Sequence, residues 1–205
     1  MHKYIIFTTF SIFLFISCGE NLSTSTTDNS ANVTTDLLAG TWTALCVDNS
    51  SASTSIQSIL VFSNDADNLT STSTSYSDSA CVTQSYVIAK TYNTLSIGNK
   101  STTNQNQVIT KFTAVISDIT LEPKTSDVAT SLNADTYCGL SDWSSGTKIS
   151  IAGLTCGSIT FKAKNTTYND LIQVNSGKTF IRLGNTTNIA SNGYPETLYT
   201  EEYYK

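Results

Sequence analysis

Leu171-Ile172-Gln173-Val174-Asn175-Ser176-Gly177-Lys178-Thr179-Phe180-Ile181-Arg182-Leu183 decides the fold class. Two short β-rich apolar runs flank Asn-Ser-Gly, residues that accept the backbone angles of a tight reversal, so the stretch predicts an antiparallel hairpin. Outward from it the same grammar recurs. Candidate strands are Gly40 to Val47, Ser55 to Phe62, Leu69 to Tyr76, Ser85 to Ala89, Thr91 to Ile97, Val108 to Glu122, Lys148 to Ile151, Ser158 to Lys164, Asp170 to Val174, Lys178 to Leu183 and Leu198 to Tyr204. In the long run, Val108, Thr110, Phe112 and Ala114 alternate with their neighbours before Ile116, Ile119 and Leu121 change phase. A bulge or bend near Ser117-Asp118 accounts for the change. Lys124 to Asp135 alone has the pattern of a short helix.

Composition agrees. Of 205 residues, 29 are Ser, 34 Thr and 17 Asn, while only 13% are charged. Such side chains compete for backbone hydrogen bonds and disfavour helix, and Thr is β-branched. A sheet with so few charges has little to blunt its edges, and Pro123 and Pro195 are the only prolines. Closure removes the edges, so an all-β antiparallel barrel is expected over 37–205, with a β-sandwich as the alternative.

The first residues carry an address. Lys3 precedes an apolar run from Ile5 to Ile16, followed by Ser17 and Cys18. This is the layout of a secretory signal over 1–17, too short for a lasting transmembrane helix. Leu14-Phe15-Ile16-Ser17-Cys18-Gly19 resembles the lipobox of bacterial lipoproteins. That resemblance implies acylation of Cys18, a lipid anchor and a place in the bacterial cell envelope. Gly19, in place of the aspartate that retains enteric lipoproteins at the inner membrane, points to the outer membrane or cell surface. An ordinary signal peptide that leaves Cys18 free or discarded is the alternative. With acyl chains attached, each buried CH₂ contributes about 0.8 kcal/mol to membrane attachment. Residues 18–36 have no apolar periodicity and read as a flexible Ser/Thr-rich tether.

Cys46, Cys81, Cys138 and Cys156 remain, an even number suited to an oxidising compartment. Three connectivities are open, and the local pairs Cys46 with Cys81 and Cys138 with Cys156 are favoured because each encloses a short segment. A metal site is disfavoured: there is no CxxC spacing, and the one histidine, His2, lies in the signal. No cofactor is implied.

Gly40-Thr41-Trp42 on the first strand resembles the start of lipocalin-like barrels. The resemblance implies that Gly40 and Trp42 close the barrel's bottom and that a late arginine packs over the tryptophan. Arg182, the sole arginine, is the candidate. The wider pattern, with Tyr137-Cys138-Gly139-Leu140 before Trp143 and an aromatic C-terminus, is similar to small uncharacterised bacterial lipoproteins, and that likeness implies no activity.

Several chemistries fall away. A net charge of −5 with one arginine offers nothing to a run of phosphates, which rules out nucleic acid as a partner. Without a histidine beyond the signal, no Ser-His-Asp or Cys-His arrangement forms. Glu122, Glu196, Glu201 and Glu202 have no spacing that selects a glycosidase pair. A non-enzymatic protein is expected. Asn64-Asp65-Ala66-Asp67-Asn68 contains a D-x-D, yet a hairpin turn explains it without calcium. Two readings follow: a small apolar ligand held in the barrel mouth, or a packed barrel whose outer surface makes structural or adhesive contacts.

Overall fold

The computed structural model describes residues 31–49, 51–65 and 67–205. Cys18 and the signal lie outside the described residues. The elements are α1 (Thr35–Leu38), β1 (Gly40–Ala44), β2 (Val47–Asn49), β3 (Thr54–Phe62), β4 (Leu69–Tyr76), β5 (Gln84–Thr102), β6 (Val108–Pro123), α2 (Ser126–Ala134), a 3₁₀ turn at Tyr137–Gly139, β7 (Ile149–Ser150), β8 (Thr155–Cys156), β9 (Ile159–Thr160), β10 (Thr167–Val174), β11 (Phe180–Leu183) and β12 (Tyr203–Tyr204).

The fold is all-β, and ten of its strands form one continuous sheet whose pairings are antiparallel. Hydrogen-bonded neighbours run β1-β12-β11-β10-β6-β5-β4-β3-β2, and β1 also pairs with β3. The predicted hairpin is β10–β11, with Val174 opposite Ile181 and Asn175 Oδ1 accepting from the amides of Thr179 and Phe180. The phase change in β6 is a bulge: Thr91 faces Asp118 and Tyr92 faces Ile116, which leaves Ser117 over. The helix α2 is capped by Thr125, whose hydroxyl accepts from the Val128 amide.

Several expectations need correction. Leu198 to Tyr204 is strand only at Tyr203–Tyr204, and Gly40 to Val47 ends its strand at Ala44. The segment Ser85 to Ile97 is one strand, because Tyr86, Ile88, Lys90 and Tyr92 keep a single alternation through the lysine. Of Ser158 to Lys164, only Ile159–Thr160 is strand, paired with β8 across a turn in which Gly157 has φ +61°. The folded region also begins before Leu37. Ala31 and Val33 pack against the core, and the Ala31 amide donates to the Val174 carbonyl at 3.2 Å, so part of the expected tether belongs to the domain.

Registers define the inner face. Trp42, Leu60, Ser71, Lys90 and Ile119 are successive cross-strand partners, as are Gly40, Phe62, Leu69, Tyr92 and Ile116. Partners on neighbouring strands point to the same side. One end of this face is closed by apolar packing: Trp42, Leu60, Ile172 and Ile181 are fully buried, with Leu38 from α1 laid across them. Toward the opposite end, the chain between β6 and β10 contributes Leu132, Trp143, Ile151 and the Cys138–Cys156 pair to the same core.

Candidate functional site

Above the apolar floor the inner face changes character. Ser58 on β3, Ser71 and Ser73 on β4, and Ile88 and Lys90 on β5 all face inward, yet each is only half-buried. Inward positions that keep part of their surface exposed show that this stretch of the inner face packs less tightly than the apolar floor against the opposite wall. That wall carries Tyr168 and Asp170 from β10 and Tyr203 from β12.

Asp170 anchors it. The carboxyl is 1% exposed and accepts from the Tyr168 hydroxyl at 2.5 Å, the Leu171 amide at 2.7 Å and the Gly184 amide at 3.0 Å. Burial pushes its pKa up to about 7, against the opposing effect of those hydrogen bonds and of Lys90. Burial together with the Asp170 charge also raises the Tyr92 and Tyr168 hydroxyls above their ordinary range. Tyr92 and Tyr168 rings lie 4.9 Å apart, centre to centre, and Lys162 holds its ammonium 5.6 Å from the Tyr168 ring. Burial lowers the Lys90 pKa, and Lys162 adds to the effect while Asp170 opposes it.

The sequence-predicted residues stand elsewhere. Trp42 is buried and donates through Nε1 to the Leu38 carbonyl at 2.7 Å. Gly40 has φ +113°, a region that favours glycine, and a Cβ there would lie 3.2 Å from Lys205 Cε. The cation over the Trp42 ring is Lys205, not Arg182. Arg182 instead lies over Phe180, 5.2 Å from the ring centre, and pairs with Glu202. The favoured cysteine pairs are both at bonding distance, Cys46 with Cys81 and Cys138 with Cys156, with Cα separations of 6.1 and 4.1 Å. In the D-x-D loop, the Ser63 hydroxyl and the Asp67 amide donate to Asp65, so its carboxylate serves the turn. No cluster of three potential metal ligands occurs among the described residues.

Sequence reasoning passed over Lys90, Tyr92, Tyr168 and Asp170. The available signal was the alternation Tyr86, Ile88, Lys90, Tyr92, which places a lysine in an inward series.

The outer face holds a second concavity. A groove of about 660 Å³ crosses β4, β5 and β6, floored by Thr70, Thr72, Val87, Ala89, Thr91 and Thr120. Of the charges along it, Asp118 pairs with Lys164 at 2.8 Å and Glu122 with Lys124 at 2.5 Å, and Lys148 also lines it. Burial would raise the Asp118 carboxyl, but hydrogen bonds from Lys164, Ser150 and the Ile119 amide outweigh it and hold the group below its ordinary value.

The chain matches no protein-family model, and no curated protein matches it. Among the described residues, no helix is long and apolar enough to cross a membrane.

Proposed function

We propose that this chain is a non-enzymatic, lipid-anchored protein of the bacterial cell envelope that binds a small molecule against the inner face of a lipocalin-like barrel. The solvent-reaching inner face at Ser58, Ser71, Ser73 and Lys90 carries this reading, because a barrel filled along its whole length leaves inward residues dry. Barrel closure is supported by β1 pairing with both β3 and β12. From Thr43, partners lead through Ile59, Thr72 and Ala89 to Thr120 on β6. In the other direction Ala44, Tyr203, Ile181 and Val174 lead to the end of β10 whose Ile172 meets Thr110. Arriving at different heights on β6 is the stagger that tilted, closed strands require. The lipobox-like Ser17-Cys18 supports the anchor.

Intact-mass and native mass spectrometry of the protein from its own membrane test both parts. The expected result is an acylated Cys18 at the mature N-terminus and a stoichiometric adduct lost on denaturation. An unmodified N-terminus removes the anchor, and bare mass across preparations removes the ligand. The outer groove supports a second reading, a contact surface for a polar partner, since its floor is rich in threonine.

A further inference from the structure

The outer groove over β4, β5 and β6 encloses about 660 Å³, within the roughly 300–1,000 Å³ typical of small-ligand sites. Its floor follows from the registers. Thr72, Ala89 and Thr120 are successive cross-strand partners, flanked on one side by the row Thr70, Thr91 and Asp118 and on the other by Val87 opposite Glu122. Ala89 places a single methyl group at the centre, where its cross-strand neighbours are β-branched, and this lowers the floor there. The backbone groups of these strands are spent on their own ladders, so recognition falls to side chains.

Those side chains offer two kinds of surface. Thr91 Oγ1 donates to the Asp118 carbonyl at 3.3 Å, whereas among the described residues the half-buried Thr70, Thr72 and Thr120 hydroxyls have no protein partner. The same threonines present γ-methyl groups, which Val87 and Ala89 extend into an apolar strip. Charged groups stand along the β6 side, with Glu122 paired to Lys124, Asp118 paired to Lys164 and the exposed Lys148 beside them. A wholly apolar ligand would take three hydroxyls out of water without partners, which is unfavourable. A ligand with C–H groups on its faces and hydroxyls along its edges satisfies both surfaces at once.

We propose that this groove binds an oligosaccharide chain, its C–H faces on Val87 and Ala89 and its hydroxyls bonded to Thr70, Thr72, Thr120 and the Glu122–Lys124 pair. The groove crosses three strands and is open to solvent, which suits a chain of rings better than one enclosed ring. This inference names the partner class for the contact-surface reading of the outer groove and rests on it.

The test titrates the full mature protein, in a zwitterionic detergent free of sugar headgroups, with cellohexaose, chitohexaose and hexagalacturonate, followed by ligand-observed NMR. Saturable binding of at least one is expected. Ala89→Leu fills the floor and should abolish it with unchanged circular dichroism. Thr72→Val and Thr120→Val keep the side-chain shape and delete the hydroxyl, so each should weaken binding about 5-fold, the effect of one lost hydrogen bond. Should Ala89→Leu fail to fold, the two threonine variants supply the check. Binding that survives Ala89→Leu in the folded protein, or that ignores both threonine variants, overturns the groove as the saccharide site. No binding of any of the three overturns the oligosaccharide class. A photo-crosslinking residue placed at Thr72 in the native membrane then separates the two failures: a protein crosslink leaves the contact surface standing with a different partner, and no crosslink removes the contact surface as well.

Discussion

Lys205 holds its ammonium 5.1 Å from the centre of the Trp42 ring, and the same nitrogen donates to the Leu37 carbonyl at 3.2 Å. The last residue of the chain is thereby fixed over the first strand, at the apolar end of the inner face. A cation over an aromatic face contributes about 0.5–2 kcal/mol, more as the site is desolvated. Lys205→Ala is expected to lower stability by about 1 kcal/mol in denaturant unfolding and to shift Trp42 emission in a Trp143→Phe background. Arg182→Ala should leave that emission unchanged. Trp42→Ala removes a fully buried aromatic and should cost about 3–5 kcal/mol.

The difference between Lys205 and Arg182 shows where sequence reading stops. Local signals were strong: Asn-Ser-Gly marked a hairpin, and the phase break at Ser117 marked a bulge. Which cation reaches Trp42 depends on how β12 docks between β1 and β11, a long-range pairing that spacing does not encode. Lys90 was hidden for another reason. A lysine between apolar runs reads as a break, although the alternation Tyr86, Ile88, Lys90, Tyr92 carries it inward, in register with Ser71 and Ile119. Asp170, at the head of an apolar run, looked like a strand boundary, whereas Tyr168 and the Gly184 amide make its burial tolerable.

Gly184 is set by Asp170. Its amide donates to Asp170 Oδ1, and a Cβ at this position would overlap that oxygen and come within 2.6 Å of Pro195 Cγ. Gly184→Ala should therefore destabilise by about 1–3 kcal/mol through overpacking and strained partners, measured by thermal unfolding. It should also speed hydrogen exchange at the Leu171 amide, which shares Asp170 Oδ1 with Gly184. An unchanged melting temperature contradicts this placement.

The two cysteine pairs should differ in chemical access. Cys46 is exposed, whereas Cys138 and Cys156 are 8% and 2% exposed and pack within the core beside Trp143. Mild reductant followed by alkylation is expected to label Cys46 and Cys81 first. Loss of either bridge should cost about 2–4 kcal/mol. The paired Cys138→Ala and Cys156→Ala variant should fall at the upper end, because it also opens core packing. The Cys81 loop keeps its shape after reduction, since Asp78 accepts from the Ala80, Val82 and Thr83 amides.

Asp170 makes stability depend on pH in an unusual direction. Its pKa rises to about 7 on folding, chiefly because burial disfavours the charged carboxylate. Between the ordinary carboxyl range and about pH 7, the folded chain binds a proton at Asp170 that the unfolded chain has released. Stability from this group is thus full at low pH and is lost as pH rises through that window, by an amount on the order of a few kcal/mol. The groups acting electrostatically on the carboxyl and its partners are Lys90, Lys162, Tyr92, Tyr168, Tyr199, Glu201 and Tyr203. Asp170→Asn keeps an acceptor for the Leu171 and Gly184 amides and offers its own N–H to the Tyr168 oxygen. That variant should unfold at nearly constant denaturant concentration from pH 5 to 8 and exceed the parent at pH 8. A parent protein whose stability climbs with pH across the same interval would contradict a neutral, buried Asp170.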